Sequence, residues 1–296
     1  MAEAAQITPL LGNRDLDRLA RLRLNAARRF TNRARGEHFA SKGGTSTEFC
    51  DYRDYAPGDD VRFVDWNIFA RIERPYLKQF HHEEELHVAV ILDASNSMQF
   101  EDKYALGLKL ATALGVVGLR GQEKVSATIV GGSKIQRLQP SSGRKSMRKL
   151  FGFLENIEAG GTQAFDYGIE AFLRRHHGRG LAILISDFLS AEDFQRPFNL
   201  LNGAGLEIFA LQILGPSEMS PELAGDLRFV DSETMGTLDI TSAGDLLALY
   251  QEYREGHAAR LAELCRQRNG RFLSVNAAEP FETVMFDTLR RRGWVK

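Results

Sequence analysis

Residues 86–98 read LHVAVILDASNSM, and this stretch decides the fold. Residues 86–92 form an apolar run rich in β-branched side chains, which is typical of a central parallel strand buried on both faces. The run ends at Asp93, and Ser95 and Ser97 follow closely. The sequence therefore predicts one carboxylate and two hydroxyl groups at the point where a buried strand ends.

Strand and helix patterns alternate along the rest of the chain. Apolar runs predict strands at residues 125–130, 135–138, 181–186, 206–214 and 271–275. Helical periodicity predicts helices at residues 103–119, 144–155, 165–176, 243–268 and 281–291. This alternation predicts an α/β fold with a doubly wound, mostly parallel sheet flanked by helices. In such a fold, ligands bind at the carboxyl ends of the strands.

Composition divides the chain into three segments. Residues 1–35 are predicted to hold an N-terminal basic amphipathic helix, in which leucines alternate with arginines over residues 14–30. Residues 36–85 carry turn signals and many Gly, Asp, Arg and aromatic residues, which favours a small β-rich satellite region of strands and loops over helices. Residues 86–296 are predicted to form the α/β domain, with a hairpin insertion near residues 227–240.

The overall composition is that of a soluble globular protein. Of the 296 residues, 43% are hydrophobic and 26% are charged, and the formal net charge is -1. This balance gives no global attraction to nucleic acid or to an anionic membrane. No apolar stretch reaches the roughly 18 residues of a membrane span and no secretion signal is recognisable, so a cytoplasmic protein is predicted. Cys50 and Cys265 have no CxxC partner, which argues against a cysteine zinc site.

Further oxygen donors are predicted at the same edge of the sheet as Asp93. The strand at residues 181–186 is followed directly by Asp187, and a glycine-rich turn, Ala159-Gly160-Gly161, precedes Thr162. Each of these donors follows a predicted strand or lies on a loop at that edge. The candidate metal ligands are Asp93, Ser95, Ser97, Thr162 and Asp187.

The chemistry of these donors selects a class of metal ion. Carboxylates and hydroxyls are hard oxygen ligands, which suit Mg²⁺, with Mn²⁺ or Ca²⁺ as alternatives, rather than zinc. Because so few carboxylates are present, the ion would keep exchangeable positions that an Asp or Glu of a partner protein could fill. Each motif also has a simpler interpretation, since Ser, Thr and Asp commonly cap helices and turns.

Residues 93–98, 161–162 and 185–187 together resemble the metal-ion-dependent adhesion site of von Willebrand factor A domains. The resemblance covers roughly residues 86–296 and fills all five ligand positions with the expected residue types. It implies that Ser95, Ser97 and Thr162 ligate the ion directly or nearly so. It also implies that Asp93 and Asp187 act largely through water.

A second resemblance lies upstream. Residues 48–66 read EFCDYRDYAPGDDVRFVDW, and residues 70–71 and 76–80 continue the pattern. The segment resembles the bacterial family called domain of unknown function fifty-eight, which implies an adaptor or substrate-binding role beside a MoxR-type AAA+ ATPase. The residues themselves interleave opposite charges with aromatic side chains, which favours a folded ion-pair and aromatic cluster over a direct binding surface.

These features favour a non-enzymatic, divalent-metal-dependent protein–protein interaction module. The family resemblance implies that this module partners a MoxR-type AAA+ ATPase in assembling or remodelling other proteins. One alternative is a metal-dependent phosphoesterase that uses the same Asp, Ser and Thr residues. Another is a metal site that only stabilises the fold. A phosphate-binding loop is disfavoured, because the nearest candidate, residues 143–146, has Leu138 where the first glycine is required.

Overall fold

The structure, a computed structural model, describes most of the chain. The described residues are 6–26, 49–80, 86–190, 193–221, 227–230, 237–240 and 244–296. The chain divides into two compact units, of which the first combines Met1–Arg28 with Leu86–Lys296 and the second comprises Arg29–Glu85. We call them the α/β unit and the small unit.

Strands and helices alternate as the sequence predicts. The strands are β1 (Phe49–Asp54), β2 (Tyr76–Phe80), β3 (His87–Asp93), β4 (Lys124–Val130), β5 (Gln136–Ser141), β6 (Gly180–Ser186), β7 (Leu206–Leu214), β8 (Leu227–Val230), β9 (Thr237–Ile240) and β10 (Arg271–Asn276). The helices are α1 (Asn13–Leu19), α2 (Trp66–Ile72), α3 (Lys103–Arg120), α4 (Met147–Leu154), α5 (Phe165–Leu173), α6 (Gln195–Gly203), α7 (Pro216–Met219), α8 (Gly244–Arg266) and α9 (Leu289–Arg291). A π-helical turn, Thr283–Thr288, precedes α9.

Six strands of the α/β unit form one sheet in the order β10-β7-β6-β3-β4-β5. Neighbouring strands are parallel except for β4 and β5, which form the predicted antiparallel hairpin. Strand β3 is buried on both faces: Val90 packs in a hydrophobic cluster with Leu114 of α3, whereas Ile91 packs in another with Phe172 of α5. The predicted α/β fold, with a mostly parallel sheet between helices, is confirmed.

The winding of the sheet changes direction beside β3. From β3 the chain crosses through α3 to β4 on one side, and it later returns to β6 on the other side. A crevice forms at such a switch point, outside the carboxyl ends of the two adjacent strands. Residues that directly follow β3 and β6 therefore lie where this fold class binds ligands.

The first helix is shorter than predicted. Helix α1 covers Asn13–Leu19, and residues 20–26 are not helical. Leu24 instead bridges to Val295, because the chain runs against the C-terminal residues there. Leu16 and Leu19 are buried in the core of the α/β unit, so α1 docks through its apolar face. Residues 27–35 of the predicted N-terminal segment lie outside the described residues.

The small unit contains a helix that the sequence interpretation did not expect. Strands β1 and β2 pair in antiparallel fashion, as predicted for a β-rich region. Helix α2 forms because Asp65 caps it, with its carboxylate accepting hydrogen bonds from the backbone N–H groups of Asn67 (2.9 Å) and Ile68 (3.2 Å). A carboxylate at this position satisfies amide groups that would otherwise lack partners.

Ion pairs also tie the small unit together. Arg53 contacts Asp59 at 2.8 Å, and Lys78 contacts Asp65 at 3.1 Å. These ion pairs agree with the ionic part of the predicted ion-pair and aromatic cluster, whereas its aromatic part is not buried: Trp66 is 60% exposed. In the α/β unit, strands β8 and β9 of the predicted hairpin region pair in antiparallel fashion, and residues 231–236 between them lie outside the described residues.

Two stacked histidines lie at the amino end of the central sheet. The rings of His87 and His176 are 4.7 Å apart, and the Nε2 of His87 lies 3.0 Å from the Oγ of Ser126. Burial, followed by the neighbouring His176 and the cations Lys124 and Arg137, lowers the pKa of His87 from 6.5 to about 4. The folded protein therefore holds this imidazole in its neutral form at physiological pH.

This pKa predicts an acid-dependent loss of stability. As the pH falls from 6.5 towards about 4, the unfolded chain protonates before folded His87 does, so the free energy of unfolding decreases. For one proton the slope is at most about 1.4 kcal/mol per pH unit. Denaturant unfolding at a series of pH values in this range gives the free energy of unfolding as a function of pH. That free energy should fall less steeply with falling pH in His87→Gln than in the wild type. The control His177→Gln, at an exposed neighbouring position, should keep the wild-type slope; an unchanged slope in His87→Gln would contradict the prediction.

Candidate metal site

The two predicted carboxylates lie side by side at the switch point of the sheet. Asp93 is the last residue of β3, and Asp187 directly follows β6, the strand that pairs with β3. Both side chains are buried, with 6% of Asp93 and 2% of Asp187 exposed. The parallel register therefore brings together two residues that are far apart in the sequence.

Hydrogen bonds fix the carboxylate of Asp93. Its Oδ1 accepts from the backbone N–H of Ser95 at 2.9 Å, and its Oδ2 accepts from the hydroxyl of Ser186 at 2.6 Å. Gly131, with φ of +73°, leaves the space for this carboxylate, since a Cβ there would lie 2.2 Å from Oδ1. Burial, followed by the nearby charge of Asp187, raises the pKa of Asp93 from 3.8 to about 6.

The two predicted serine ligands are in contact with each other. The Oγ atoms of Ser95 and Ser97 lie 3.1 Å apart, so one hydroxyl donates to the other. Ser95 is buried, and Ser97 begins the segment Ser97–Asp102, a 3₁₀ turn followed by a non-helical kink at Phe100 and Glu101 before α3. The two hydroxyls therefore form one oxygen-rich group beside Asp93.

A second loop brings Thr162 to the same edge of the sheet. The backbone N–H of Asn96 donates to the carbonyl of Gly161 at 3.0 Å, and the Gly161 N–H donates to the Asn96 side chain at 2.9 Å. Gly161 also lies against the β4–β5 connection, where a Cβ would come within 2.2 Å of the carbonyl carbon of Gly132. Only glycine permits this close approach.

A cavity of about 170 Å³ lies between these elements. It is lined by Asp93, Ser95, Gly131, Thr162, Gln163, Ala164, Phe165, Ser186, Asp187, Phe188, Ser190 and Phe194. Four of the five predicted ligands thus share one cavity, and Ser97 joins them through its contact with Ser95. The structure brings the predicted residues together.

The sequence interpretation missed a cation next to this cavity. The Nζ of Lys103 lies 2.8 Å from Oδ2 of Asp187 and 2.5 Å from Oε1 of Glu218. Its side chain is 0% exposed. The other carboxylate oxygen of Asp187 accepts from the backbone N–H of Leu189 at 3.2 Å. Ser186, which donates to Asp93, was also missed, since a serine inside a strand carries no metal-site signal.

The donors fit a small, hard cation. Within the described residues, no three His, Cys, Asp or Glu side chains gather as a metal cluster, so an ion here would also need hydroxyl and water ligands. Mg²⁺ accepts such oxygen ligands and commonly keeps several waters. Burial and then the nearby charge of Asp187 raise the pKa of Asp93, and a cation in the cavity would favour the ionised carboxylate.

Comparisons with known proteins place the chain among relatives of similar length. Residues 51–260 match the family model described as "Protein of unknown function DUF58". The uncharacterized protein Rv1480 of Mycobacterium tuberculosis is 27% identical over 284 residues, which cover 93% of this chain and 89% of that protein.

Two solved structures show a more distant likeness. BatB from Bacteroides thetaiotaomicron has a TM-score of 0.41 and 15% identity, covering 64% of this chain and 90% of that one. An aerotolerance-related membrane protein from Bacteroides fragilis has a TM-score of 0.46 and 16% identity, covering 70% of this chain and 98% of that one. At these TM-scores the likenesses assign no function.

The predicted cytoplasmic localisation requires correction. It is contradicted by the description of the similar Bacteroides fragilis structure as a membrane protein. Among the described residues, no helix is both long enough and apolar enough to cross a bilayer. The localisation inferred from composition is therefore withdrawn, because apolar stretches and net charge do not report where a protein is held.

Proposed function

This chain belongs to the family described as "Protein of unknown function DUF58", and we propose that its α/β unit is a von Willebrand factor A-like module that binds a partner protein through a divalent metal ion. The observation that carries the proposal is the cavity at the switch point, where Asp93, Ser95, Thr162 and Asp187 converge. This is the edge at which α/β folds bind ligands.

The proposed roles follow from the contacts of each residue. Ser95, Ser97 and Thr162 would offer hydroxyl oxygens to Mg²⁺, or to Mn²⁺ or Ca²⁺. Asp93 already accepts hydrogen bonds at both carboxylate oxygens, and Asp187 is paired with Lys103, so both suit ligation through water. The bound ion would supply an electrophilic position for a carboxylate of the partner protein.

The partner that the family resemblance implies is a MoxR-type AAA+ ATPase. We propose that the chain is a non-enzymatic, chaperone-like adaptor for such an ATPase, acting in the assembly or remodelling of other proteins. This choice of partner class comes from the resemblance of residues 48–80 to the family, whose matched description names no partner. The phosphoesterase alternative has less support, because the carboxylate of Asp93 is held by Ser95 and Ser186 rather than free to attack.

Titration calorimetry with Mg²⁺, Mn²⁺ and Ca²⁺ tests the site directly. We expect one ion to bind per chain and Ser97→Ala to weaken its affinity by about tenfold or more, as for other changes next to a metal. Ser142→Ala is the matched control, because Ser142 lies far from the candidate ligands. It follows β5, and the last residue of β5 pairs near the start of β4, at the end of the sheet away from Asp93. Equal loss of affinity in both variants would contradict the assignment.

The partner is tested by copurification with a MoxR-type ATPase of the same organism, in Mg²⁺ and in chelator. The adhesion mechanism predicts a complex that forms in Mg²⁺ and is lost in chelator and in Asp93→Ala. Binding that persists under both conditions would refute it. Phosphoester turnover that disappears in Asp187→Ala would favour the enzymatic alternative instead.

A further inference from the structure

Lys103 occupies an unusual position for a lysine. It is the first residue of α3, its side chain is 0% exposed, and it lies at the end of the helix where the dipole disfavours a cation. Burial of an ammonium group is costly unless carboxylates surround it. Here Asp187 and Glu218 both contact the Nζ, at 2.8 and 2.5 Å.

The backbone that delivers Lys103 is also strained. The two preceding residues, Glu101 and Asp102, have positive φ angles of 49° and 59°. Such conformations cost free energy in residues other than glycine and cluster at functional sites. The turn is fixed by Glu101, whose carboxylate accepts from the backbone N–H of Ser217 at 2.9 Å.

Glu218 is held in place as firmly as Asp187. Its second carboxylate oxygen accepts from the backbone N–H of Gly215 at 2.7 Å, and its carbonyl accepts from the hydroxyl of Tyr250 at 2.6 Å. Its side chain is 18% exposed, so it is shielded from most of the solvent. Lys103 therefore lies between two carboxylates whose positions do not depend on an ion in the cavity.

Charge counting connects this arrangement to the candidate metal site. Asp93 and Asp187 line the cavity, whereas Glu218 is not among the lining residues and contacts Lys103 instead. Taken with the ammonium of Lys103, these three carboxylates sum to a formal charge of -2. A single divalent cation would balance that charge. Without Lys103 the same carboxylates would carry -3 and attract a cation more strongly.

We propose that Lys103 is an internal counter-cation that keeps the site assembled without metal and limits how tightly it holds a divalent ion. This inference rests on the proposed function. Lys103 neutralises Asp187 in the ion-free protein, and its positive charge opposes the charge of an incoming ion. A partner carboxylate would then contribute a large share of the binding free energy, so that occupancy of the site depends on the partner.

Calorimetric titration of the full chain with Mg²⁺ tests the proposal on three variants. Lys103→Met should bind Mg²⁺ at least about tenfold more tightly, because a cation beside a carboxylate lowers the affinity of that carboxylate for a proton by about 10- to 1000-fold and opposes a metal ion in the same sense. Glu218→Gln should bind it more weakly. Lys109→Met, an exposed lysine on the same helix, should match the wild type. The rise in melting temperature on adding Mg²⁺ should follow the same order.

Each outcome decides the proposal. Affinity in folded Lys103→Met that equals or falls below the wild-type value would overturn the role of Lys103 and leave the metal-binding function standing. If Lys103→Met does not fold, Glu218→Gln alone decides, because unchanged or tighter binding in that variant contradicts the charge argument. If neither the wild type nor any variant binds Mg²⁺, Mn²⁺ or Ca²⁺, both the inference and the proposed function fail.

Discussion

Gly161→Ala is expected to lower the free energy of unfolding by about 3 kcal/mol or more and to disable the metal site. The added Cβ would lie 2.2 Å from the carbonyl carbon of Gly132 and 2.5 Å from the backbone nitrogen of Ser133. Backbone atoms cannot move aside as a flexible side chain can, so the loop carrying Thr162 must shift. Chemical denaturation and Mg²⁺ calorimetry measure the two losses.

The matched control for this substitution is Gly152→Ala. Gly152 lies within α4, and a Cβ there would meet nothing within 4 Å. In a helix interior, alanine is favoured over glycine by about 1 kcal/mol, so the control should be slightly more stable than the wild type. A Gly161→Ala protein with wild-type stability and wild-type Mg²⁺ affinity would show that the loop does not need its close approach to the β4–β5 connection.

The fold was predictable from the sequence because its central strands carry an unambiguous signal. The interiors of β3 and β6 are apolar, an aspartate ends β3 and another follows β6, and parallel strands end at a common edge. The sequence could not establish that β3 and β6 are neighbours, since strand order depends on packing across the whole sheet. That adjacency brings Asp93 and Asp187 close enough for their charges to interact.

Helices with mixed signals were harder to predict. Helix α6 contains Pro197, Asn199 and Asn202, which favour turns, yet Phe198 and Leu201 are buried three residues apart on its inner face. Packing of these two side chains overrides the weak local propensity. Helix α2 was missed for a related reason, since its start depends on the cap by Asp65 within a segment rich in turn residues.

Lys103 illustrates why the electrostatics of the site could not be predicted. From sequence, a lysine at the start of an amphipathic helix is expected to face solvent. Its burial involves Glu218, which is 115 positions away and lies on the short helix that follows β7. Short motifs predict the ligand residues, whereas the charged side chains that alter the affinity of those ligands for a cation come from distant parts of the chain.

The ionised carboxylate of Asp93 lowers the stability of the folded protein when no metal is bound. Its folded pKa of about 6 lies above the ordinary value of 3.8, so the ionised carboxylate is disfavoured in the folded protein. This group therefore favours folding most below pH 3.8, and that contribution is lost as the pH rises to about 6. At about 1.4 kcal/mol per pKa unit, the ionised carboxylate costs about 3 kcal/mol in the metal-free protein at neutral pH.

Asp93→Asn is therefore expected to stabilise the chelator-treated protein by about 1–3 kcal/mol at pH 7 and to abolish stabilisation by Mg²⁺. The amide has nearly the same shape and can still accept from Ser95 N–H, but it carries no charge. Asp187→Asn makes the same chemical change and should destabilise instead, because it removes a carboxylate from buried Lys103. Denaturant unfolding in chelator and in Mg²⁺ measures both effects. If Asp93→Asn is less stable than the wild type in chelator, the carboxylate is needed for its hydrogen bonds rather than for an ion.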